Sequence, residues 1–214
     1  RSTPLYSSAA SDVYKRQMPE GAVGIPVPIP DEGGFGADIR AFIATGDVEA
    51  MRAVWSDGRA TAIATKGARN MVEHPGRVEA FCRVMGFVTD ADRWPLVWHC
   101  SAGKDRAGWV GTILLLALGV ERDAIVEHYL ESNRVGTRRA AALVDGGMLT
   151  EEGLELLRPF IEVAPAYVEA QLAAVDDRWG GVGAMLRDGL GLTEDRICLL
   201  YTSPSPRDQR GSGR

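Results

Sequence analysis

The chain has 214 residues, 24 of them Lys or Arg and 29 Asp or Glu, for a formal net charge of −5 at pH 7. That balance argues against a general binder of nucleic acid or anionic membranes, although it leaves room for a local basic site. Apolar residues make up 45% of the chain, enough for one domain with its own core, and no apolar run is long enough to span a bilayer.

The two ends stand apart from the rest. Ser7–Gln17 (SSAASDVYKRQ) can be encoded by a transposase adapter of the kind used to prepare sequencing libraries. The reverse complement of that adapter's last part, read one base out of phase, encodes Cys198–Thr202 (CLLYT), and Ser203–Asp208 continues as the partner adapter would. Residues 1–17 and 198–214 are therefore expected to be adapter-derived and foreign to the fold, with residues 18–197 forming one partial domain cut from a longer gene. Six of the basic and two of the acidic residues lie in these ends, which leaves 18 against 27 and a net charge of −9 for the central part.

Along the central part, Ala22–Pro30 (AVGIPVPIP) reads as a short strand leaving into a Gly- and acid-rich loop, residues 31–36. Ile39–Ile43 and Val48–Trp55 read as short helices, the second opened by Asp47 as N-cap. Val78, Phe81, Cys82 and Met85 share one helical face, and Leu96–Trp98 reads as a strand. Trp109–Leu118 is apolar nearly all round, which predicts a central buried helix stopped by Gly119. Ile125, Val126, Tyr129 and Leu130 stripe the next helix. Thr150 with Glu151 and Glu152 opens another, expected to break around Pro159. Val168, Leu172, Val175 and Trp179 mark a further helix ended by Gly180–Gly181. Strands early and helices late give an α/β expectation: a parallel sheet flanked by helices, a largely helical C-terminal half, and N-terminal strands missing upstream.

The chemistry concentrates in His99-Cys100-Ser101-Ala102-Gly103-Lys104-Asp105-Arg106-Ala107, between the last expected strand and the buried helix. A loop in that position turns its amide N–H groups inward and backs them with a helix N-terminus, which makes an anion site. A thiol set in such a cradle is favoured as the thiolate, and an arginine at the rim offers a phosphoryl group a bidentate clamp. Cys100 is thus the candidate nucleophile, although a free cysteine taken alone is more often a buried structural residue. Arg106 is the candidate clamp; the helix macrodipole opposes a cation at that place, so a functional reason for it is favoured. Gly103 permits close backbone approach, and Ser101, Ala102, Lys104 and Ala107 complete the phosphate loop. Lys104 is expected to add positive charge at the mouth. His99 either holds the loop and tunes the thiol or is a satisfied core histidine.

Asp105 is the candidate general acid, on the same loop and within plausible reach of a leaving oxygen. Asp31 competes for that role, although a turn aspartate is its plainer reading. Trp94-Pro95 is not followed by an aspartate; Asp90 and Asp92 precede it. A nucleotide-binding loop is a poor fit, because Asp105 stands where Ser or Thr is needed after the lysine. His74, His99 and His128 are scattered, and Cys82 and Cys100, the cysteines of the central part, form neither a metal-spaced cluster nor a disulfide framework. No metal or other cofactor is expected, and so few cysteines suit a reducing compartment.

At these residues the chain resembles the atypical tyrosine/lipid phosphatase family of bacteria and fungi, within the Cys-x5-Arg tyrosine-phosphatase superfamily, whose loop reads HCxxGKDR. His128-Tyr129-Leu130-Glu131-Ser132-Asn133 is similar to its DYLLSN-type helix. Tyr167-Val168-Glu169-Ala170, Asp177-Arg178-Trp179-Gly180 and the stretch from Met185 to Leu192 resemble its later segments. Its upstream NFRDLGG and arginine-bearing strand regions have no counterpart here. The resemblance implies a tyrosine-phosphatase-like fold and metal-free hydrolysis, through a phosphocysteine, of phosphotyrosine, sometimes phosphoserine or phosphothreonine, and phosphoinositides. The implied partners are a phosphorylated protein or a phosphoinositide. Ala107 departs from the pattern: such phosphatases usually carry Ser or Thr there, whose hydroxyl helps the thiolate leave. A non-catalytic phospho-ligand binder is the alternative this departure raises.

Overall fold

The computed structural model describes residues 21–30 and 35–202; Asp31, the alternative acid, lies outside them. Ten principal helices follow one another among the described residues: α1 (Phe35–Thr45), α2 (Val48–Trp55), α3 (Arg59–Glu73), α4 (Pro75–Val88), α5 (Arg106–Ala117), α6 (Arg122–Leu130), α7 (Asn133–Asp145), α8 (Glu151–Ile161), α9 (Pro165–Trp179) and α10 (Glu194–Thr202). A short helical turn, Val182–Ala184, and a π-turn, Met185–Gly189, join α9 to α10. α10 crosses the boundary expected at Cys198, and Tyr201 Oη donates to the Ala117 carbonyl at 2.6 Å.

Local sequence explains most of the helix starts and stops. The Asp47 side chain accepts from the Ala50 N–H at 3.0 Å, and Thr150 Oγ1 accepts from the Gly153 N–H at 3.1 Å, so both expected N-caps are made. Gly119 and Gly180 take positive φ just past α5 and α9, closing those helices in the left-handed conformation. α8 carries Pro159 inside it and continues to Ile161 rather than breaking. The proline falls in the last turn, so the single ladder bond it removes disturbs nothing downstream.

α5 is the hub. Trp109, Val110, Ile113, Leu116 and Ala117 are buried, and no residue from Arg106 to Leu118 is exposed. Phe81 and Met85 of α4, Ile125 and Tyr129 of α6, and Val168, Leu172 and Val175 of α9 complete the same core. α9 also lies along α3, where Arg69 pairs with Glu73 and Asp177, each at 2.7 Å. A second, smaller core gathers Met51, Trp55, Ala60, Leu149 and Leu157. Its centre is the Trp55 ring, which meets Phe42 and Phe160 edge-on at 4.5 and 5.1 Å.

Two corrections follow. Among the described residues there is no strand, so the parallel sheet is not part of the observed architecture. Ala22–Pro30 runs without ladder pairing; Pro26, Pro28 and Pro30 have no N–H to give a neighbour. Leu96–Trp98 is likewise unpaired, with Val97 88% exposed, so no second layer covers it. Conversely, α3 and α7 are helices that apolar periodicity did not reveal. Their buried positions are mostly small, Ala60, Ala68 and Val72 in α3 and Gly136 and Ala140 in α7.

The hub role of α5 gives a stability prediction. Ile113→Ala leaves a cavity in a fully buried site and is expected to cost about 3 kcal/mol. Urea denaturation of the full chain measures it, and a loss below about 1 kcal/mol would mean the site collapses or is not central.

Candidate active site

The loop from Cys100 to Asp105 leads directly into α5. With no strand ladder to hold it, the segment before the loop is anchored by indoles. Trp94 Nε1 donates to the Val88 carbonyl at the end of α4 (2.9 Å), and Trp98 Nε1 donates to the Ala107 carbonyl in the first turn of α5 (3.1 Å). These two bonds fix where the chain enters the loop.

The loop turns at Gly103, whose φ of +75° suits glycine. The Gly103 N–H then points at the sulfur, donating to Cys100 Sγ at 3.2 Å. The helical ladder starts with Gly108 and Trp109, which donate to the carbonyls of Lys104 and Asp105 at 3.0 and 2.9 Å. N–H groups earlier in the turn have no intrahelical acceptor and carry the positive end of the helix dipole. Cys100 is half-buried, at the floor of this arrangement.

Arg106 is the first residue of α5, and its guanidinium donates to Ser101 Oγ at 3.0 Å, closing the loop across its two sides. Among the described residues no carboxylate pairs with it. Ser101 and Ala102 are exposed and Ala107 is half-buried. His99 is exposed, with Nδ1 3.3 Å from the Cys100 carbonyl oxygen.

Lys104 does not stand at the mouth. It is only 8% exposed, and its ammonium donates to Asp105 Oδ1 at 2.9 Å and to the Glu162 carbonyl at 3.4 Å. It therefore reaches inward to the turn between α8 and α9, taking the Asp105 carboxylate as its partner. Tyr129 and Tyr167 lie behind this pair. Burial raises both phenols above the usual tyrosine value, Tyr129 strongly, and the Asp105 charge adds to the effect. Tyr167 donates to the Pro159 carbonyl at 3.0 Å. The Tyr129 ring sits so close to Gly108 that a β-carbon there would approach it to 3.2 Å.

The structure thus brings Cys100, Ser101, Gly103 and Arg106 together on the front of the loop, and Lys104 and Asp105 on its back. Among the described residues, no three His, Cys, Asp or Glu side chains converge as metal ligands, and no helix is long and apolar enough to cross a membrane. Sequence reasoning assigned no role to Asn133, Tyr129 or Tyr167. All three lie in stretches quoted for the family resemblance, but nothing in their spacing tied them to the loop.

A half-buried thiol, a glycine-turned backbone and an arginine opening a buried helix make up the Cys-x5-Arg loop of this chain. The Tyrosine phosphatase family model matches residues 14–203, and the chain belongs to that family. Among curated relatives, the chain is 40% identical over 99 residues to a Cupriavidus necator protein named "Putative tyrosine-protein phosphatase", covering 44% of this chain and 35% of that protein. It is 32% identical over 105 residues to the "Triple specificity protein phosphatase PtpB" of Mycobacterium tuberculosis, covering 44% of this chain and 38% of that protein. The matched part spans little more than a third of either relative's length.

Two predictions follow from the geometry. Gly103→Ala meets no atom within 4 Å, so its cost is the positive φ alone, about 1–2 kcal/mol, released by a shift of the loop that weakens orthovanadate binding. Undiminished vanadate affinity would show that the turn does not shape the anion site. Tyr129 gives a pH dependence. Folding favours its neutral phenol, so its contribution to stability is full below the unfolded tyrosine pKa of about 10 and is lost as pH rises past that value. Tyr129→Phe should therefore flatten the alkaline fall in thermal stability, and an unchanged slope would contradict the assignment.

Proposed function

We propose that this chain is a cysteine-dependent phosphomonoester hydrolase. The observation that carries this reading is the Gly103 N–H directed at Cys100 Sγ, with the Arg106 guanidinium, held by Ser101 and without a carboxylate partner among the described residues, at the start of a buried helix. The Cys100 thiolate attacks phosphorus. Arg106 and the loop amides hold the equatorial oxygens as charge builds on them. The phosphorus–oxygen bond to the substrate breaks, and Asp105 gives its proton to the departing oxygen. Water then attacks the phosphocysteine, giving its proton to Asp105; the sulfur–phosphorus bond breaks to release phosphate and restore the thiolate. His99 borders the nucleophile through the Cys100 carbonyl, and Ser101 orients Arg106. Asp31 is kept as the alternative acid.

Phosphotyrosine peptides are the proposed substrates, with phosphoserine, phosphothreonine and phosphoinositides as further ones. The family supports the first, and the triple-specificity name of the mycobacterial relative supports the breadth. The test is phosphate release by the full chain from a phosphotyrosine peptide and from a phosphoinositide, beside Cys100→Ser. Release from the wild-type protein and none from Cys100→Ser is expected, with vanadate binding kept by the variant. Residual turnover in Cys100→Ser would overturn the nucleophile assignment.

Ala107 favours a second reading, a phospho-ligand binder that turns over slowly or not at all. Without a hydroxyl beside Arg106, breakdown of the phosphocysteine lacks help. On the hydrolase reading Ala107→Thr should raise steady-state turnover about tenfold while leaving the first-turnover burst unchanged. A wild-type protein that binds vanadate and shows no burst would establish the binder instead.

A further inference from the structure

Lys104 is a loop residue whose charge is turned into the protein, and it needs a fixed place to go. That place is the turn between α8 and α9, where the Glu162 carbonyl accepts from its ammonium at 3.4 Å. The turn is itself held by the first half of α7. Asn133 Nδ2 donates to the Val163 carbonyl at 2.8 Å, and Asn133 Oδ1 accepts from the Val163 N–H at 2.7 Å. One amide side chain thus satisfies both backbone groups of one residue, a pairing that fixes its orientation. Gly136, one turn further along α7, lies so close that a β-carbon would stand 3.0 Å from the Ile161 carbonyl oxygen. Thr137 Oγ1 donates to Glu162 Oε1 at 3.4 Å, and Arg158 pairs with the same oxygen at 3.1 Å. Three consecutive residues, Ile161, Glu162 and Val163, are therefore gripped by one helix face.

We infer that Asn133 is a positioning residue for the phosphate loop: it fixes the Glu162–Val163 turn that seats Lys104, and Lys104 in turn holds the Asp105 carboxylate at the back of the loop. The consequence is electrostatic. Asp105 becomes a carboxylate as it gives its proton to the departing oxygen, beside a cradle that already holds negative charge, and the Lys104 ammonium, 2.9 Å from its Oδ1, offsets the charge that forms. When the turn is released, Lys104 loses its seat and the carboxylate that forms on proton transfer is no longer neutralised. The inference rests on the phosphoryl-transfer reading of the loop, and the effect belongs to the transition state, where charge on the phosphoryl oxygens and the departing oxygen is greatest.

The experiment is a double-mutant cycle on the full chain with Asn133→Ala, Lys104→Met and both together. It reads orthovanadate affinity, together with kcat and KM on a phosphotyrosine peptide. Asn133→Ala is expected to weaken vanadate binding and lower kcat about fivefold with KM unchanged, and to have no further effect once Lys104 is Met. Asn133→Asp keeps the acceptor for the Val163 N–H and loses the donor to its carbonyl. It is expected to show a smaller loss of the same kind, and it carries the test if Asn133→Ala does not fold. Losses that add independently of Lys104, or a lowered Tm with vanadate affinity and kcat intact, would overturn the inference and leave the loop's function standing. A wild-type protein that binds no vanadate would overturn the reading of the loop and this inference with it.

Discussion

Helix α5 is buried along most of its surface, and that constraint decides where its N-terminus points. Every residue from Arg106 to Leu118 is at least partly covered, with Trp109 and Ile113 locked between α4, α6 and α9. A helix packed this closely resists rotating or sliding to relieve strain at its start. The first-turn N–H groups and the Arg106 guanidinium are thus presented at a fixed place, and the loop from Cys100 must close over them. Gly103 allows the tight turn that this closure demands, and the Ser101–Arg106 hydrogen bond ties its two ends. A helix N-terminus would ordinarily attract an acid. This one carries an arginine with no acid paired to it among the described residues, an arrangement that is costly unless an anion shares it.

The same loop divides its charges by side. Its front holds the sulfur and the Arg106 guanidinium, while its back holds the Lys104–Asp105 pair against two buried phenols. The division lets one short peptide present a guanidinium on one side and a lysine-paired carboxylate on the other. Burial makes Lys104 sensitive to its surroundings, because a buried ammonium without a partner is far more costly than one in water. The turn between α8 and α9 is close enough to meet it, and α7 keeps the turn there. Helices distant in sequence thus converge on a site whose named residues span fewer than ten positions.

Much of this was legible in the sequence, for local reasons. The cysteine–arginine spacing, the apolar run of α5, the caps at Asp47 and Thr150 and the stops at Gly119 and Gly180 are all written in adjacent residues. α3 and α7 were not legible, because they pack through Ala60, Ala68, Gly136 and Ala140, and small residues leave little apolar periodicity to read. The strand reading of Leu96–Trp98 failed for a related reason. β-propensity describes a fit to neighbours, and none pairs with this segment among the described residues; two indole hydrogen bonds hold it instead. The inward turn of Lys104 was hidden as well, since a lysine in a glycine-turned loop reads as solvent-facing until the Glu162 carbonyl is placed beside it.

The central claim is that Cys100 and the α5 N-terminus form one phosphoryl-binding unit with the sulfur as its reactive atom. The most direct measurement is acid-quench mass spectrometry of the full chain mixed with a phosphotyrosine peptide, followed by mapping of the modified residue. The account predicts a single phosphoryl group on Cys100, accumulating in the steady state because Ala107 gives its breakdown no hydroxyl. A phosphoryl group on another residue, or product formed with Cys100 never modified, would contradict it.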